Sequence, residues 1–292
     1  LSQSGEVTCW ELVVRGPPDG RIPPGKYMSE PRSVESLAGA TALVANDTEW
    51  CALFDGGAAK CSFDGWLEDF VASEHVVELV GDFSHSCALS AAEQVWCWGG
   101  NGSGRLGTGD DPLPPCRRTE PCSSEPVRVR ELTSVKQLAG GSRTCALLGN
   151  GTVRCWGLWY GDEPTPAEQR WSTPQPIEGL EGVQQLVVGD RFACALRADG
   201  AVLCFGHNNL GQLGDGSAQD AQRPVRVRGI GPATEIAAGA AYACAVLEDR
   251  SLWCWGDNRF GQLGDGTRAR RHTAVRTMPP GSISAKFERP PS

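Results

Sequence analysis

Five pairs of cysteines recur along this chain of 292 residues, and the two members of each pair stand ten positions apart. The pairs share a frame that reads Cys-Ala-Leu or Cys-Ala-Val, a polar centre, and a second Cys that an aromatic residue and Gly mostly follow. The second cysteines lie at positions 61, 97, 155, 204 and 254, so the frame repeats at intervals of 36, 58, 49 and 50 residues. Such self-similarity indicates an array of equivalent supersecondary units. The pairs are Cys51 and Cys61, Cys87 and Cys97, Cys145 and Cys155, Cys194 and Cys204, and Cys244 and Cys254.

Each pair flanks the turn of a predicted β-hairpin. The polar centres contain turn dipeptides such as Asn150-Gly151 and Asp199-Gly200, and alternating runs such as Ala201 to Phe205 follow them. Because a single residue lies midway between the two cysteines, the cysteines face each other across the hairpin. Opposed residues of a non-hydrogen-bonded antiparallel pair have Cα atoms about 4.5 Å apart, within the range of about 4.4–6.8 Å that a disulfide accepts. The pattern predicts a disulfide in every hairpin, with buried free thiols as the alternative.

Two further cysteines, Cys116 and Cys122, occur in the segment PCRRTEPC, and we predict a disulfide that closes a small loop there. Zinc sites need closely spaced Cys or His partners, whereas the four His of this chain are scattered and no CxxC redox motif is present. Paired cysteines are typical of oxidising compartments. The cysteine pattern therefore predicts an extracellular, periplasmic or cell-surface protein and no metal ligands.

The thirteenth cysteine, Cys9, belongs to the same frame, because LSQSGEVTCWE at positions 1–11 aligns with LRADGAVLCFG at positions 196–206 without a gap. Its partner would stand two positions before Leu1. We therefore predict that Cys9 is unpaired and that the chain is an N-terminally truncated piece that starts inside a hairpin.

Each unit also contains a strand-like run that ends in Gly before the first Cys, and a Pro-Val or Pro-Ile strand after the second Cys. The high content of glycine, 37 residues, and of proline, 20 residues, favours many turns and short elements. About four short strands in each unit, with no helical periodicity between them, predict an all-β fold of the β-propeller type with four-stranded blades.

Three segments with the pattern N-x-x-G-(Q/R)-L-G-x-G, at residues 101–109, 208–216 and 258–266, follow Cys-Trp-Gly or Cys-Phe-Gly. They resemble the regulator of chromosome condensation repeat. The resemblance covers residues 1 to about 280 and implies a single propeller, of about six blade units here and seven in the full-length protein, followed by a Pro-rich tail at 281–292. Cytosolic and nuclear family members lack paired cysteines, so the chain looks like a disulfide-bonded bacterial member, similar to secreted relatives such as beta-lactamase inhibitor protein II.

The glycine-rich loops and most of the tryptophans have structural interpretations. No Lys-Ser or Lys-Thr follows GQLGDG, which argues against a phosphate-binding P-loop and for tight turns between blade strands. Aromatic residues after the second Cys are predicted to pack between neighbouring blades; they are Trp98, Trp156, Phe205 and Trp255. Three aromatic residues of an insertion outside the frame form a possible binding loop; they are Trp159, Tyr160 and Trp171.

No established catalytic motif is present, so we predict no catalytic residue, no cofactor and no enzyme. The net charge of −8 disfavours nucleic acid as a partner, and no apolar run is long enough for a membrane span. The favoured hypothesis is a secreted or cell-surface, monomeric scaffold that binds another protein. The family resemblance implies one alternative, a guanine-nucleotide exchange factor for a Ran-like GTPase; the other is a glycan-processing enzyme, which would need two facing carboxylates in one cleft.

Overall fold

A computed structural model describes residues 8–9, 12–13, 27–28, 32–33, 37–45, 50–63, 66–70, 75–82, 84–102, 104–109, 113, 122–158 and 169–278. Within these ranges the protein is all-β, as predicted. They contain strands, turns and the short 3-10 helix Gln169–Ser172, and they include no α-helix. The proposed tail at 281–292 lies outside the described residues.

In the described ranges, twenty-four strands form two short ladders and five four-stranded antiparallel sheets, which we name blade 1 to blade 5 in chain order. The ladders pair β1 (Thr8–Cys9) with β4 (Arg32–Ser33), and β2 (Leu12–Val13) with β3 (Tyr27–Met28). Blade 1 contains β5 (Ala40–Ala45), β6 (Trp50–Phe54), β7 (Ala59–Phe63) and β8 (Trp66–Phe70); blade 2 contains β9 (Val76–Asp82), β10 (His85–Ser90), β11 (Val95–Gly100) and β12 (Cys122–Arg128). Blade 3 contains β13 (Val135–Gly140), β14 (Thr144–Leu148), β15 (Val153–Trp156) and β16 (Gln175–Pro176); blade 4 contains β17 (Val183–Val188), β18 (Phe192–Arg197), β19 (Val202–Gly206) and β20 (Ala221–Arg226). Blade 5 contains β21 (Ala233–Ala238), β22 (Tyr242–Leu247), β23 (Leu252–Gly256) and β24 (Arg271–Arg276).

The second and third strands of each blade form the hairpin that the cysteine frame predicts. In blade 4 the register places Cys194 opposite Cys204, and in blade 5 it places Cys244 opposite Cys254. Gly200 occupies the left-handed position of the blade 4 turn with a φ of 76°. Glycine adopts this conformation without the steric cost that a side chain adds.

The blades are arranged as a propeller, because the first strand of each blade contacts the first strand of the next from β5 through β21. The hydrophobic core is divided among the interfaces between neighbouring blades. One cluster joins Phe192 and Leu213 of blade 4 to Ala245 and Trp255 of blade 5. Equivalent clusters lie between blades 1 and 2, 2 and 3, and 3 and 4.

The four aromatic residues that follow the second cysteines lie in these interfaces. Trp98, Trp156 and Trp255 are fully buried and Phe205 is 2% exposed. Trp156 belongs to the cluster with blade 2 residues such as Leu106. The predicted packing between blades is therefore what the structure contains.

Candidate functional site

The loops between the third and fourth strands lie beside the loops between the first and second strands, and we call this end of the blades the loop face. Hydrogen bonds join the two kinds of loop. The Arg105 guanidinium donates through Nε to the Ser142 carbonyl at 3.2 Å and through Nη1 to the Ser84 hydroxyl at 3.0 Å. The His207 amide donates to the Arg191 carbonyl at 2.8 Å. These hydrogen bonds connect the loops of the loop face to one another. Each blade whose connection between the third and fourth strands is described contributes a loop to this surface.

The glycine-rich loop of blade 4 is held by its own side chains. The Asn208 carboxamide accepts a hydrogen bond from the Leu213 amide at 3.0 Å and donates to Asp215 at 3.0 Å and to Ser217. The Gly211 amide donates to the Asn208 carbonyl, so this loop N–H group is used inside the loop. The contacts fit the interpretation as a structural turn, since they occupy groups that a phosphate site would present to a ligand.

The same loops lock neighbouring blades together. The Trp156 indole of blade 3 donates to the Arg105 carbonyl in the blade 2 loop at 2.9 Å. A Cβ atom on Gly107 would lie 2.8 Å from Val129 and 3.1 Å from Trp156, with φ at 66°. Glycine is therefore needed both for the backbone conformation and for the close approach of the indole.

Hydrogen bonds also hold the Asp215 and Asp265 carboxylates in the charged form. Burial alone would raise the pKa of Asp215, but hydrogen bonds from Ser217 and Asn208 outweigh that effect and lower it. The pKa of Asp265 is lowered in the same way: burial opposes the shift, and hydrogen bonds from Thr267, Arg271 and Asn258 produce it. Both carboxylates therefore stay ionised and stabilise their loops as hydrogen-bond acceptors. A lowered pKa does not favour a role in proton transfer.

The predicted disulfides of the five cysteine frames are all present, with Cα–Cα distances of 4.0–4.1 Å. These distances lie slightly below the range of about 4.4–6.8 Å expected for a disulfide. The two cysteines of each frame are directly opposite on adjacent strands, as predicted. The bonds join Cys51 to Cys61, Cys87 to Cys97, Cys145 to Cys155, Cys194 to Cys204, and Cys244 to Cys254.

The other three cysteines are only partly described. Cys122 is disulfide-bonded, whereas its predicted partner Cys116 lies outside the described residues. Cys9 is paired with Arg32 in the backbone register of β1 and β4. The predicted unpaired state of Cys9 concerns a side chain that lies outside the described set.

The predicted aromatic binding loop is described only at its end. Trp159 and Tyr160 lie outside the described residues, and Trp171 lies in the 3-10 helix. The Arg143 guanidinium stacks 4.1 Å from the centre of the Trp171 ring and donates to the Gly157 carbonyl at 2.9 Å. Trp171 is half-buried against the core between blades 3 and 4, so it anchors the insertion to the propeller.

The blade 5 loop places a different set of side chains on the loop face, and motif analysis did not single them out. Phe260 at its tip is 83% exposed, the largest exposure of a large apolar side chain among the described residues. Arg259 lies beside it, with its guanidinium 5.9 Å from the ring centre, and both Arg259 and Arg270 contact the buried Asp257 carboxylate. A comparison of the blade 4 and blade 5 loop sequences could have identified these residues, because the two copies differ at their positions.

Within the described ranges, no group of three or more His, Cys, Asp or Glu side chains could hold a metal ion. Two carboxyl groups in these ranges, Glu78 and Asp190, have a pKa that burial raises. The Glu78 carboxylate accepts a hydrogen bond from the Leu138 amide of the next blade at 2.7 Å, so it bridges two blades. No described helix is long and apolar enough to cross a membrane.

Comparison with known proteins identifies the repeat. The regulator of chromosome condensation (RCC1) repeat matches residues 93–148 and 199–246, and a second description of the same repeat matches residues 183–212 and 233–262. The matched segments cover the complete cysteine hairpins of blades 4 and 5 and the glycine-rich segments 101–109 and 208–216.

Similar curated proteins include two large ligases of Homo sapiens. The probable E3 ubiquitin-protein ligase HERC4 is 28% identical over 158 residues, which are 52% of this chain and 14% of HERC4. The E3 ubiquitin-protein ligase HERC2 is 31% identical over 167 residues, which are 55% of this chain and 3% of HERC2. The chain thus matches only a small part of either relative.

Two solved structures show the fold. Human WBSCR16 superposes on this chain with a TM-score of 0.68 at 18% sequence identity. The superposition covers 83% of this chain and 68% of the WBSCR16 chain. Prp20p of Saccharomyces cerevisiae, a protein studied for its binding to Gsp1p and histones, superposes with a TM-score of 0.59 at 15% identity and covers 97% of this chain and 88% of its own.

Proposed function

Since residues 93–148 and 183–262 of this propeller match regulator of chromosome condensation repeats, we propose that the chain is a non-catalytic scaffold that binds another protein through its loop face. One observation carries the proposal: a rigid, disulfide-bonded framework of repeated blades presents loops that differ from blade to blade. The connections between the third and fourth strands occupy positions 101–121, 157–174, 207–220 and 257–270 in blades 2 to 5. Variable loops on a repeated framework are a common basis of partner recognition.

The framework supports this role because contacts inside the loops fix their backbone and leave the Phe260 side chain exposed. Asn208 and Asn258 hold their loops from inside, while Phe260 stands at an exposed tip. A preorganised loop loses less conformational entropy on binding, which favours affinity.

We further propose that the protein works outside the reducing cytosol, in a secreted, periplasmic or cell-surface setting and as a monomer. The support is the number of disulfides in one chain, since such bonds persist in oxidising compartments. Mass spectrometry of native protein alkylated with and without reductant tests the point. Label on the Cys-x9-Cys thiols without reductant would contradict it.

Cross-linking of the purified protein to the secreted or surface proteins of its source, followed by mass spectrometry, tests the binding function. We expect cross-linked peptides from the loop face, for example from 257–270, rather than from the hairpin turns at the opposite ends of the blades, such as 248–251. Cross-links confined to the hairpin turns would contradict the choice of face, and the absence of specific protein cross-links would contradict the function.

The second candidate is guanine-nucleotide exchange on a Ran-like GTPase. The shared fold with Prp20p, which binds Gsp1p, favours it. A nucleotide-release assay with a fluorescent GDP analogue on a Ran-like GTPase tests it directly, and unaccelerated release removes it. The disulfides favour the first candidate, because this exchange takes place in reducing compartments.

A further inference from the structure

The blade 4 loop (207–220) and the blade 5 loop (257–270) are two copies of one structure with different surfaces. In both, the second residue is an Asn whose carboxamide oxygen accepts from a Leu amide five residues later, at 3.0 Å in Asn208 and 3.1 Å in Asn258. In both, this Asn also donates to an Asp seven residues later, Asp215 or Asp265, at 3.0 and 3.1 Å. The two copies therefore share their internal framework.

The tips of the two loops have the same backbone support. The Gln212 carboxamide oxygen accepts from the Leu210 amide at 2.8 Å, and the Gln262 oxygen accepts from the Phe260 amide at 2.9 Å. Residues 210 and 260 thus occupy equivalent tip positions, and any difference between them is a difference of side chain alone.

The residues in which the copies differ make different local contacts: in blade 4, Asp220 accepts from the Asn208 amide at 2.7 Å and pairs with His207, where blade 5 has Asp257. Four positions outside the shared framework change from polar, acidic or aliphatic residues in blade 4 to arginine or phenylalanine in blade 5. The changes, from blade 4 to blade 5, are Asn209 to Arg259, Leu210 to Phe260, Ala218 to Arg268, and Asp220 to Arg270. Three added guanidinium groups and one added ring create a local basic and aromatic surface on a chain whose net charge is −8.

A buried carboxylate contacts two of these arginines. Arg259 Nε lies 3.0 Å from Asp257 Oδ2, and Arg270 Nε lies 4.0 Å from Asp257 Oδ1. The Asp257 side chain is only 5% exposed, while Arg259 and Arg270 remain 58% and 46% exposed. The Arg259 guanidinium also lies 5.9 Å from the centre of the Phe260 ring. The Asp257 carboxylate thus contacts both guanidinium groups, and both arginine side chains remain exposed to solvent.

An exposed phenylalanine is unfavourable in water and becomes favourable when a partner covers it. Arginine is the side chain best suited to pair with a carboxylate through two parallel hydrogen bonds. Together these groups fit an acidic peptide segment that carries an apolar residue. A long polyanion such as nucleic acid fits less well, because the rest of this acidic chain would repel it.

We propose that the blade 5 loop is the docking site for an acidic segment of a partner protein, in which carboxylates pair with Arg259 and Arg270 and an apolar side chain covers Phe260. This inference rests on the proposed protein-binding function and names the chemistry of the partner. The blade 4 loop provides the matched control within the same molecule.

The test exchanges the variable residues while it leaves the framework unchanged. The exchange variant carries Asp257→His, Arg259→Asn, Phe260→Leu, Arg268→Ala and Arg270→Asp, which are the blade 4 residues at these positions. The new Asp thereby receives the His partner that Asp220 has in blade 4. The probe is a short fluorescein-labelled peptide with Asp and Glu on both sides of a Leu-Trp pair, and fluorescence anisotropy measures its binding at low and high salt. We expect the exchange variant to bind at least about tenfold more weakly than the unchanged chain, and we expect high salt to weaken binding of the unchanged chain.

Three controls decide the interpretation. The variant Asn209→Ala with Leu210→Ala in blade 4 should bind like the unchanged chain. A peptide with Asn and Gln in place of Asp and Glu should bind weakly, and so should an oligothymidylate of similar length. Equal binding by the exchange variant, or tighter binding of the oligothymidylate than of the acidic peptide, would overturn the proposal.

The single variant Phe260→Leu provides a second test in case the exchange variant misfolds. It should bind the acidic peptide more weakly while its melting temperature stays unchanged. A clear fall in its melting temperature would show that Phe260 packs within this chain and would also overturn the proposal. Cross-links to a partner that persist at the loop face in the exchange variant would overturn this inference alone and leave the proposed function intact.

Discussion

The indole nitrogen of Trp255 donates a hydrogen bond across a blade boundary to the carbonyl oxygen of Gln212, at 3.0 Å. Trp255 follows the second cysteine of blade 5, and Gln212 lies in the glycine-rich loop of blade 4. The bond ties the repeated loop of one blade to the repeated strand of the next. Trp156 and Arg105 repeat it between blades 3 and 2. The loop motif and the Cys-Trp-Gly motif are therefore two halves of one contact between blades.

Replacement of Trp255 by Phe should destabilise the protein by about 2–4 kcal/mol, because it leaves the Gln212 carbonyl without its donor and opens a cavity in the interface. Urea denaturation followed by circular dichroism measures the change. Trp253→Phe is the matched control, since the Trp253 indole is only half-buried and bonds to the Ser251 hydroxyl within its own hairpin. Equal losses in the two variants would contradict a special role for the contact between blades.

Replacement of Gly214 by Ala should be more harmful than replacement of Gly264 by Ala, although both residues have a φ near 64°. At Gly214 the new Cβ would lie 2.7 Å from Trp255, whereas at Gly264 the nearest described atom, in Thr277, is 3.8 Å away. We expect a loss of about 1 kcal/mol from the backbone conformation alone at Gly264, and about 2–3 kcal/mol more at Gly214 from overpacking. Thermal melts of the two variants measure the difference, and similar melting temperatures would count against the argument.

The sequence alone predicted the repeated hairpins well, because a cysteine frame with constant spacing allows one register in which Cys194 and Cys204 face each other. It did not reveal how the first strands of neighbouring blades are joined. Gln137 donates to the Leu186 carbonyl and accepts from the Leu186 amide, both at 3.0 Å, and Gln185 bonds to both backbone groups of Ile236 in the same way. On an alternating strand such glutamines look like ordinary solvent-facing residues, and only the packing of the next blade gives them a partner.

The candidate binding surface was missed for a related reason. Motif comparison emphasises what the copies of a loop share, and in this protein the shared residues Asn208 and Asn258 form the framework. The side chains available to a partner, such as Phe260, are those in which the copies differ. Whether such a residue is exposed depends on the three-dimensional loop, which the motif does not specify.

Glu78 occupies in blade 2 the bridging position of Gln137, and its replacement by Gln should stabilise the protein. Burial raises the pKa of Glu78 above its ordinary value of 4.5, and the hydrogen bond from the Leu138 amide only partly opposes the shift. The charged form therefore costs stability above the raised pKa, and the cost disappears as the pH falls below 4.5. Glu78→Gln should gain on the order of 1 kcal/mol at pH 7, because the amide can also donate to the Leu138 carbonyl.

Urea denaturation at a series of pH values checks this prediction, and the gain should shrink as the pH approaches 4.5. The reverse change, Gln137→Glu, should destabilise the protein at pH 7, because it removes the donor to the Leu186 carbonyl and buries a charge. A gain in Glu78→Gln that does not vary with pH would show that the burial of the charge is not its cause.

His85 should make the protein sensitive to acid. It is fully buried, and burial together with the nearby Arg105 guanidinium lowers the pKa of His85 to about 3 from 6.5. Its Nε2 atom lies 2.7 Å from the Thr144 hydroxyl. The unfolded chain binds a proton near pH 6.5 that the folded protein accepts only near pH 3, so folding stability falls as the pH drops through this window, by on the order of 4 kcal/mol in total.

Phe192 and Tyr242 occupy in blades 4 and 5 the position that His85 has in blade 2. All three lie opposite the glycine two residues after the second cysteine of their hairpin. His85→Phe should therefore be accommodated. We expect it to lose about 1 kcal/mol at pH 7 through the Thr144 hydroxyl and to become more stable than the unchanged protein at pH 4, so that the two stability curves cross. Phe192→His should introduce the same acid sensitivity in blade 4. Parallel stability curves for His85→Phe and the unchanged protein between pH 4 and pH 7 would show that His85 is not the acid-sensitive group.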